Sequence, residues 1–369
     1  MSVEKLTTIY SQHTVFLQRV GAGHGLAVTP YLERIQEAMT LIFLRNSGKN
    51  STQARMVRIR QQINEVTRKE LQEYISWLKV QNREVGDNES SFAASSLDSV
   101  VKSDVDIDTP SSAQVNALAV ASPIQMGEKS WTTYNTMMKN YWEKYTDEID
   151  SIVAVGFASG QTIEQMSRDI MNQIVLTSSD STGNVLTRAR KSAKSLAITG
   201  TNHYANQARI AFVDQNDELL TGYRLIAVVD SRTSQKCRAL DQKVIKKDNP
   251  KLANFTPPLH RNCRTAMVYE VDQRFRLDDS ETQRASAFEV DGKRDPKPIS
   301  SEGIYYDKMS KLNNADQDNI LGPTLGKAFR KLDNPEAFAK ATIDRLGNPL
   351  SIKEMKSRDN QLAKILNGI

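Results

Sequence analysis

The chain has 369 residues, more than one ordinary domain of roughly 100–200 residues takes up, so two or three units are expected. Apolar residues make up 39% and aromatics 7%, which excludes wholesale disorder but points to long helices and solvated linkers around modest cores. The formal net charge of +5 permits a polyanionic partner without identifying one.

The first twenty residues, MSVEKLTTIYSQHTVFLQRV, hold no apolar run behind a basic start; Lys5, Gln12, His13 and Gln18 interrupt it, so no secretory signal is expected. The longest apolar stretches, 38–44 and 225–229, fall far short of the roughly 20 residues that span a bilayer, and no membrane partner is expected. Cys237 and Cys263 are the only cysteines, too few for a disulfide framework, which fits synthesis in a reducing cytoplasm.

The first half reads as helix. Thr29-Pro30 places a capping hydroxyl before a proline in a first turn, and Tyr31, Ile35, Met39, Ile42 and Leu44 follow at helical spacing. Over 51–80 a longer amphipathic helix is predicted, with Met56, Ile59, Ile63, Val66, Leu71, Tyr74, Ile75 and Leu78 on one stripe. From 86 to 127 the period fades into Asp, Asn, Ser and Pro, which predicts a linker, interrupted by a short helix at 113–121. The period returns over 129–156, carried by Trp131, Tyr134, Met138, Tyr141, Tyr145, Ile149 and Ile152, and again over 163–174 behind a Thr162 cap. A further helix is predicted over 185–213. Its start is basic, with Arg188, Arg190, Lys191 and Lys194 close together, and a second basic cluster, Arg55, Arg58 and Arg60, lies on the earlier helix. Either cluster can touch nucleic-acid phosphates or form a solvated face paired with neighbouring acids.

After Leu219 the pattern changes. Residues 222–230 (GYRLIAVVD) read as a buried strand, and 265–271 as a second in which Ala266, Val268 and Val271 alternate with polar neighbours. The long loop between them exceeds an idle connector and is expected to carry a site or an interface. Beyond 278 a polar linker is predicted to 300, then helices near 305–312, 335–343 and 352–366; no internal repeat is found. The fold class expected is α+β and predominantly α: a helical N-terminal arm (1–85), a linker (86–127), a small mixed α/β domain (128–277), a linker (278–300) and a helical C-terminal module (301–369).

Both cysteines and one of the four histidines fall in the long loop. Cys237, His260 and Cys263 offer two thiolates and an imidazole, ligand types that suit zinc, with Asp230, Asp241, His203 or water as the fourth ligand. Three other readings stay open: a rigid turn at Pro257-Pro258 with the cysteines as small apolar fillers, a Cys–His nucleophilic pair, and a disulfide.

The order Asp230-x-Arg232-Thr233-x-x-x-Cys237, then Leu240-Asp241-x-Lys243-Val244, then Pro257-Pro258-x-His260-x-Asn262-Cys263-Arg264 resembles the signature of the phage Mu F-like head morphogenesis proteins, the minor head proteins of tailed phages. The helix residues TGTNHYANQAR (199–209) and, downstream, Tyr305-Tyr306, Gln317-Asp318, 320–324, Phe329-Arg330 and Pro349-Leu350 extend the resemblance over about 150–355. Members commonly carry glycine where Gln242 stands and cysteine where Thr265 stands. Glutamine is tolerable at 242 if its φ is negative, and the missing cysteine shifts weight from zinc to the hydrogen-bonding residues Asp230, Arg232, His260, Asn262 and Arg264; Thr233 and Asp241 complete the loop signature. Arg264 is suited to fork two carbonyls or a carboxylate such as Asp230, tying the loop's ends together. The resemblance implies a structural, non-enzymatic virion protein inside the capsid near the portal vertex, made in the bacterial host cytoplasm and acting in procapsid assembly, packaging or ejection. The partners implied are the portal protein, a capsid or scaffolding protein, and packaged double-stranded DNA contacted without regard to sequence. The alternatives are a zinc-dependent processing enzyme built on Cys237, His260 and Cys263, or an internal protein ejected with the genome.

Overall fold

A computed structural model of the chain describes residues 2–368 apart from 51, 103, 128–129, 175–183, 278–282, 288, 291–292, 295–297 and 301. It is predominantly helical with a few small sheets. The chain opens with α1 (Ser2–Leu26), α2 (Thr29–Asn46) and α3 (Gln53–Asp98), then α4 (Ser112–Ala121) and a two-stranded sheet of β1 (Pro123–Gln125) and β2 (Trp131–Thr133). Next come α5 (Tyr134–Ala158), α6 (Ile163–Ile174) and α7 (Val185–Gln215). The site region holds β3 (Leu220–Ile226), β4 (Val229–Asp230), α8 (Gln235–Leu240), β5 (Val244–Lys246) and β6 (Ala266–Val271). The remainder comprises β7 (Gln283–Ala287), β8 (Glu289–Val290), β9 (Lys293–Arg294), β10 (Pro298–Ser300), α9 (Tyr305–Met309), α10 (Asn314–Leu321), α11 (Pro323–Leu332), α12 (Pro335–Ala341), α13 (Ile352–Arg358) and α14 (Asn360–Asn367).

By compactness the chain divides into two units: Met1–Gln18, Val85–Thr132 and Asn202–Ile369 form one, Arg19–Glu84 and Thr133–Thr201 the other. Apart from Thr133, which ends β2, the regular elements among the described residues of the second are helices. There α2 buries Leu32, Ile35, Met39, Ile42 and Phe43, while Leu44, expected on that face, is 69% exposed because it lies one residue further round the helix. Thr29 is the first helical residue and Val28 the cap, so the expected hydroxyl cap is absent. The tyrosines of α5 face the core and hand their hydroxyls to α7: Tyr134 to the Leu196 carbonyl, Tyr141 to that of Ala189 and Tyr145 to that of Arg188, each at 3.2 Å. Their rings supply apolar area and their tips satisfy polar groups, which is why an aromatic stripe stands where aliphatics would otherwise do. Trp131, expected on this stripe, sits in β2 before the Thr133 cap and is 39% exposed. In α6, Thr162 caps Gln165, whose side chain returns the bond to the Thr162 amide.

The first unit is built on the antiparallel sheet β5-β3-β6, with Tyr223 opposite both Ile245 and Tyr269. All six residues of β6 are buried, so the alternation expected there is lost: the strand is covered on both faces. The predicted strand 222–230 is two strands. β3 ends at Ile226, where the Asp241 carboxylate takes the amide of Ala227, and β4 joins a second sheet, β10-β7-β4, pairing in parallel with β7. Thus the described part of the expected linker 278–300 contains strands, while 278–282, 288, 291–292 and 295–297 lie outside the described residues.

Three further expectations are corrected. Residues 1–85 are not a separate arm, because Leu6 and Tyr10 lie in one core with Phe212, Tyr223 and Tyr269. Residues 86–98, expected to open a linker, continue α3, burying Gly86, Glu89, Ser90, Ala93, Ser96 and Leu97 at spacings of three and four. A Cβ at Gly86 would meet Val115 Cγ1 of α4 at 2.8 Å, so the glycine permits this close approach. The C-terminal helices are not a separate module: they belong to the same unit as the loop, and Tyr305, Tyr306, Phe329, Phe338 and Leu362 share a core with Val229 of β4.

Candidate functional site

The loop between β4 and β6 is organised by two residues at its ends. Arg264 donates to both carboxylate oxygens of Asp230, at 2.5 and 2.6 Å. The same carboxylate accepts from the Arg232 amide at 3.1 Å and lies 3.1 Å from the Thr233 hydroxyl, making a tight turn after β4. Burial works against the charged carboxylate, but Arg264 outweighs it and holds Asp230 below the usual carboxylate range. Arg232 itself points outward, its side chain 62% exposed.

From that turn Ser234 caps α8, its hydroxyl accepting from the Cys237 amide at 3.3 Å. Asp241 ends α8 and accepts from Ala227 at 2.9 Å. Gln242 then adopts φ +63°, contrary to the negative φ expected for a residue with a side chain there. The left-handed conformation carries the chain from α8 into β5, with the Gln242 amide on the Leu225 carbonyl at 2.8 Å. On the return, the Pro257-Pro258 bond is cis, and exposed Asn262 takes φ +56°, which asparagine tolerates better than most residues.

Cys237, His260 and Cys263 meet, their ligand atoms all within 4.8 Å of one another. The sulfurs are 3.8 Å apart, and His260 Nε2 lies 3.2 Å from Cys237 Sγ and 2.9 Å from Ser234 Oγ. His260 Nδ1 donates to the Arg261 carbonyl at 2.8 Å, which aims Nε2 at the sulfurs. Both thiols are free and buried. Burial disfavours the Cys263 thiolate, yet the Cys237 thiol and the His260 imidazolium hold its proton affinity well below that of an ordinary thiol. Cys237, donating to it, is pushed up. His260 is raised to about 9: burial opposes the imidazolium and the Cys263 sulfur favours it. The fourth ligands expected from the sequence are engaged elsewhere. Asp230 serves Arg264, Asp241 caps α8, and His203 Nε2 meets the Ala119 carbonyl at 2.7 Å.

The loop rests on a buried polar ladder along α7. Asn202 donates to the Cys263 carbonyl at 2.8 Å, Asn206 accepts from the Met267 amide at 2.7 Å, and Arg209 donates to the Met267 carbonyl at 3.3 Å and to Glu89 of α3 at 2.7 Å. Their spacing of four and three on one helix face is the signal for it; Glu89, in the expected linker, gave none. On the other side, Tyr305 donates to the Asp230 carbonyl at 2.7 Å, Gln235 to that of Thr342 at 2.8 Å and Arg238 to that of Ile320 at 3.0 Å.

The basic clusters lie in the other unit and are partly neutralised. Arg60 forks Asp150 at 2.5 Å, Arg188 pairs with Glu148, and Arg55 donates to the Asn50 carbonyl. Arg58, Lys191 and Lys194 are exposed and Arg190 is half-buried.

Compared with known families, residues 147–268 match the family described as Phage Mu protein F like protein. The matched stretch takes in Asp230, Cys237, His260, Cys263 and Arg264; the downstream residues of the sequence resemblance lie beyond it. No match was found among curated proteins or among solved structures.

Proposed function

We propose, from the match of residues 147–268 to the family described as Phage Mu protein F like protein, that this chain is a minor head protein of a tailed double-stranded DNA phage, associated with the portal inside the capsid and acting in procapsid assembly, genome packaging or ejection. The family points to phage head morphogenesis and to the virion as the place of action. Among the described residues no helix is long and apolar enough to cross a membrane.

The observation that carries this reading is the family match across the signature loop. A structural role fits the way the loop's polar side chains are used: Asp230, Thr233, Asp241 and Arg264 hold one another and the backbone in place. The partners are the portal protein, a capsid or scaffolding protein, and packaged DNA. DNA contact would fall to exposed residues such as Arg58, Lys191 and Lys194 and be blind to sequence. Retention of duplex DNA by the purified protein should therefore collapse between low and moderate salt.

Interrupting the gene in the phage or prophage that encodes the chain tests the reading. Loss of DNA-filled heads is expected. Infectious particles with normally filled heads in its absence would overturn it.

A further inference from the structure

We propose that Cys237, His260 and Cys263 bind a zinc ion that staples the N-terminal turn of α8 to the 257–265 turn. Tetrahedral zinc with sulfur bonds of about 2.3 Å sets its two sulfurs roughly 3.8 Å apart. The Cys237 and Cys263 sulfurs, twenty-six residues apart in the chain, are 3.8 Å apart. A disulfide would need them at about 2.05 Å, little more than half that separation.

The histidine is presented in the manner of a metal ligand. Its Nδ1 donates to the Arg261 carbonyl at 2.8 Å, the kind of outer partner that orients ligating imidazoles, so Nε2 faces the sulfurs. Cys263 is equally fixed: its carbonyl accepts from Asn202 at 2.8 Å and Gln18 at 3.3 Å. The donor set of two sulfurs and one imidazole favours zinc over magnesium or calcium, which prefer oxygen.

An independent observation comes from Thr265. It is 1% exposed, and its hydroxyl lies against the Cys237 sulfur as a hydrogen-bond partner. The hydroxyls of Thr265 and Ser234 thus both border the three ligand atoms, where a solvent oxygen held by them can complete a four-ligand set. Zinc enters by displacing thiol and imidazolium protons to solvent, and it cross-links two segments that are otherwise joined here by the Arg264–Asp230 pair and the Ser234–His260 contact.

The test uses full-length protein purified without chelator, assayed for metal and, after exchange, loaded with Co²⁺. One zinc per chain and a thiolate-to-cobalt charge-transfer band are expected, and His260→Ala should lose both. Thr265→Cys supplies a third thiolate beside the Cys237 sulfur; it should slow zinc loss to a chelator at least tenfold and strengthen the cobalt band. This gain-of-binding variant keeps the test informative even if His260→Ala fails to fold. Wild-type protein that takes up neither metal, or isolates with a Cys237–Cys263 disulfide, overturns the proposal, as does Thr265→Cys with unchanged metal retention.

Discussion

Arg264 meets the Asp230 carboxylate through two parallel hydrogen bonds of 2.5 and 2.6 Å, although thirty-four residues separate them. The pair closes the loop at its base, and Asp230 is 1% exposed against 17% for Arg264. Removing one partner of such a buried pair leaves an uncompensated charge, a loss of about 3–5 kcal/mol. Asp230→Asn should lower the unfolding free energy by about 3 kcal/mol in denaturant titrations. Arg264→Lys keeps the charge but not the fork and should also destabilise. Changes below about 1 kcal/mol in both would show that the pair does not hold the loop.

Gln242 is the converse case, a residue whose replacement should stabilise. At φ +63° it bears a left-handed backbone penalty of roughly 1–2 kcal/mol, and its buried side-chain nitrogen lacks a hydrogen-bond partner. Glycine removes the penalty and gives back part of the gain through the more flexible unfolded chain. Gln242→Gly should raise stability by about 0.5–1 kcal/mol, seen as a higher denaturation midpoint at unchanged slope.

His203 makes stability pH-dependent. Burial pushes its imidazole down to about 4, against the opposing pull of the Ala119 carbonyl. An unfolded histidine titrates near 6.5, so its contribution is complete above about pH 6.5 and is lost as pH falls toward 4, where the unfolded chain takes up the proton first. The full effect is roughly 3 kcal/mol. His203→Gln can still donate to that carbonyl but does not titrate. Its unfolding free energy should change less than the wild type's between pH 7 and pH 5, by about 2 kcal/mol. Equal slopes would remove His203 as the cause.

Amide exchange tests the continuation of α3. Residues 86–97 carry Glu89 in a 1%-exposed pair with Arg209 and bury Ala93 and Leu97 in the core of the first unit. Their amides should exchange as slowly as those of β3; exchange within seconds would restore the linker.

The contrast between α5 and this stretch shows what a sequence makes legible. Tyr134, Met138, Tyr141 and Tyr145 announce a helix because large apolar groups recur at its period. Beyond Val85 the burial keeps that period, but the buried residues are Gly86, Glu89, Ser90 and Ala93, and hydrophobicity does not register them. The break between β3 and β4, and β7 itself, escaped for another reason: a two-residue strand that leaves one sheet and is completed from far along the chain has no local pattern. In the site, the Arg264–Asp230 fork and the Cys237–His260–Cys263 grouping were legible as chemistry, charge seeking charge and soft ligands sharing a loop. The Asn202, Asn206 and Arg209 ladder was only half legible, because side chains that bind backbone carbonyls and amides name no partner residue. The positive φ of Gln242 was missed because it is demanded by the turn from α8 into β5, not by the residue that occupies it.

The head-protein assignment is tested most directly by quantitative mass spectrometry of gradient-purified, DNA-filled heads from the phage or prophage that encodes the chain. A minor head protein should be found there at a few copies per particle, at constant ratio to the portal protein across the peak. Its absence from filled heads, with the chain recovered only from the soluble fraction of the lysate, would contradict the assignment.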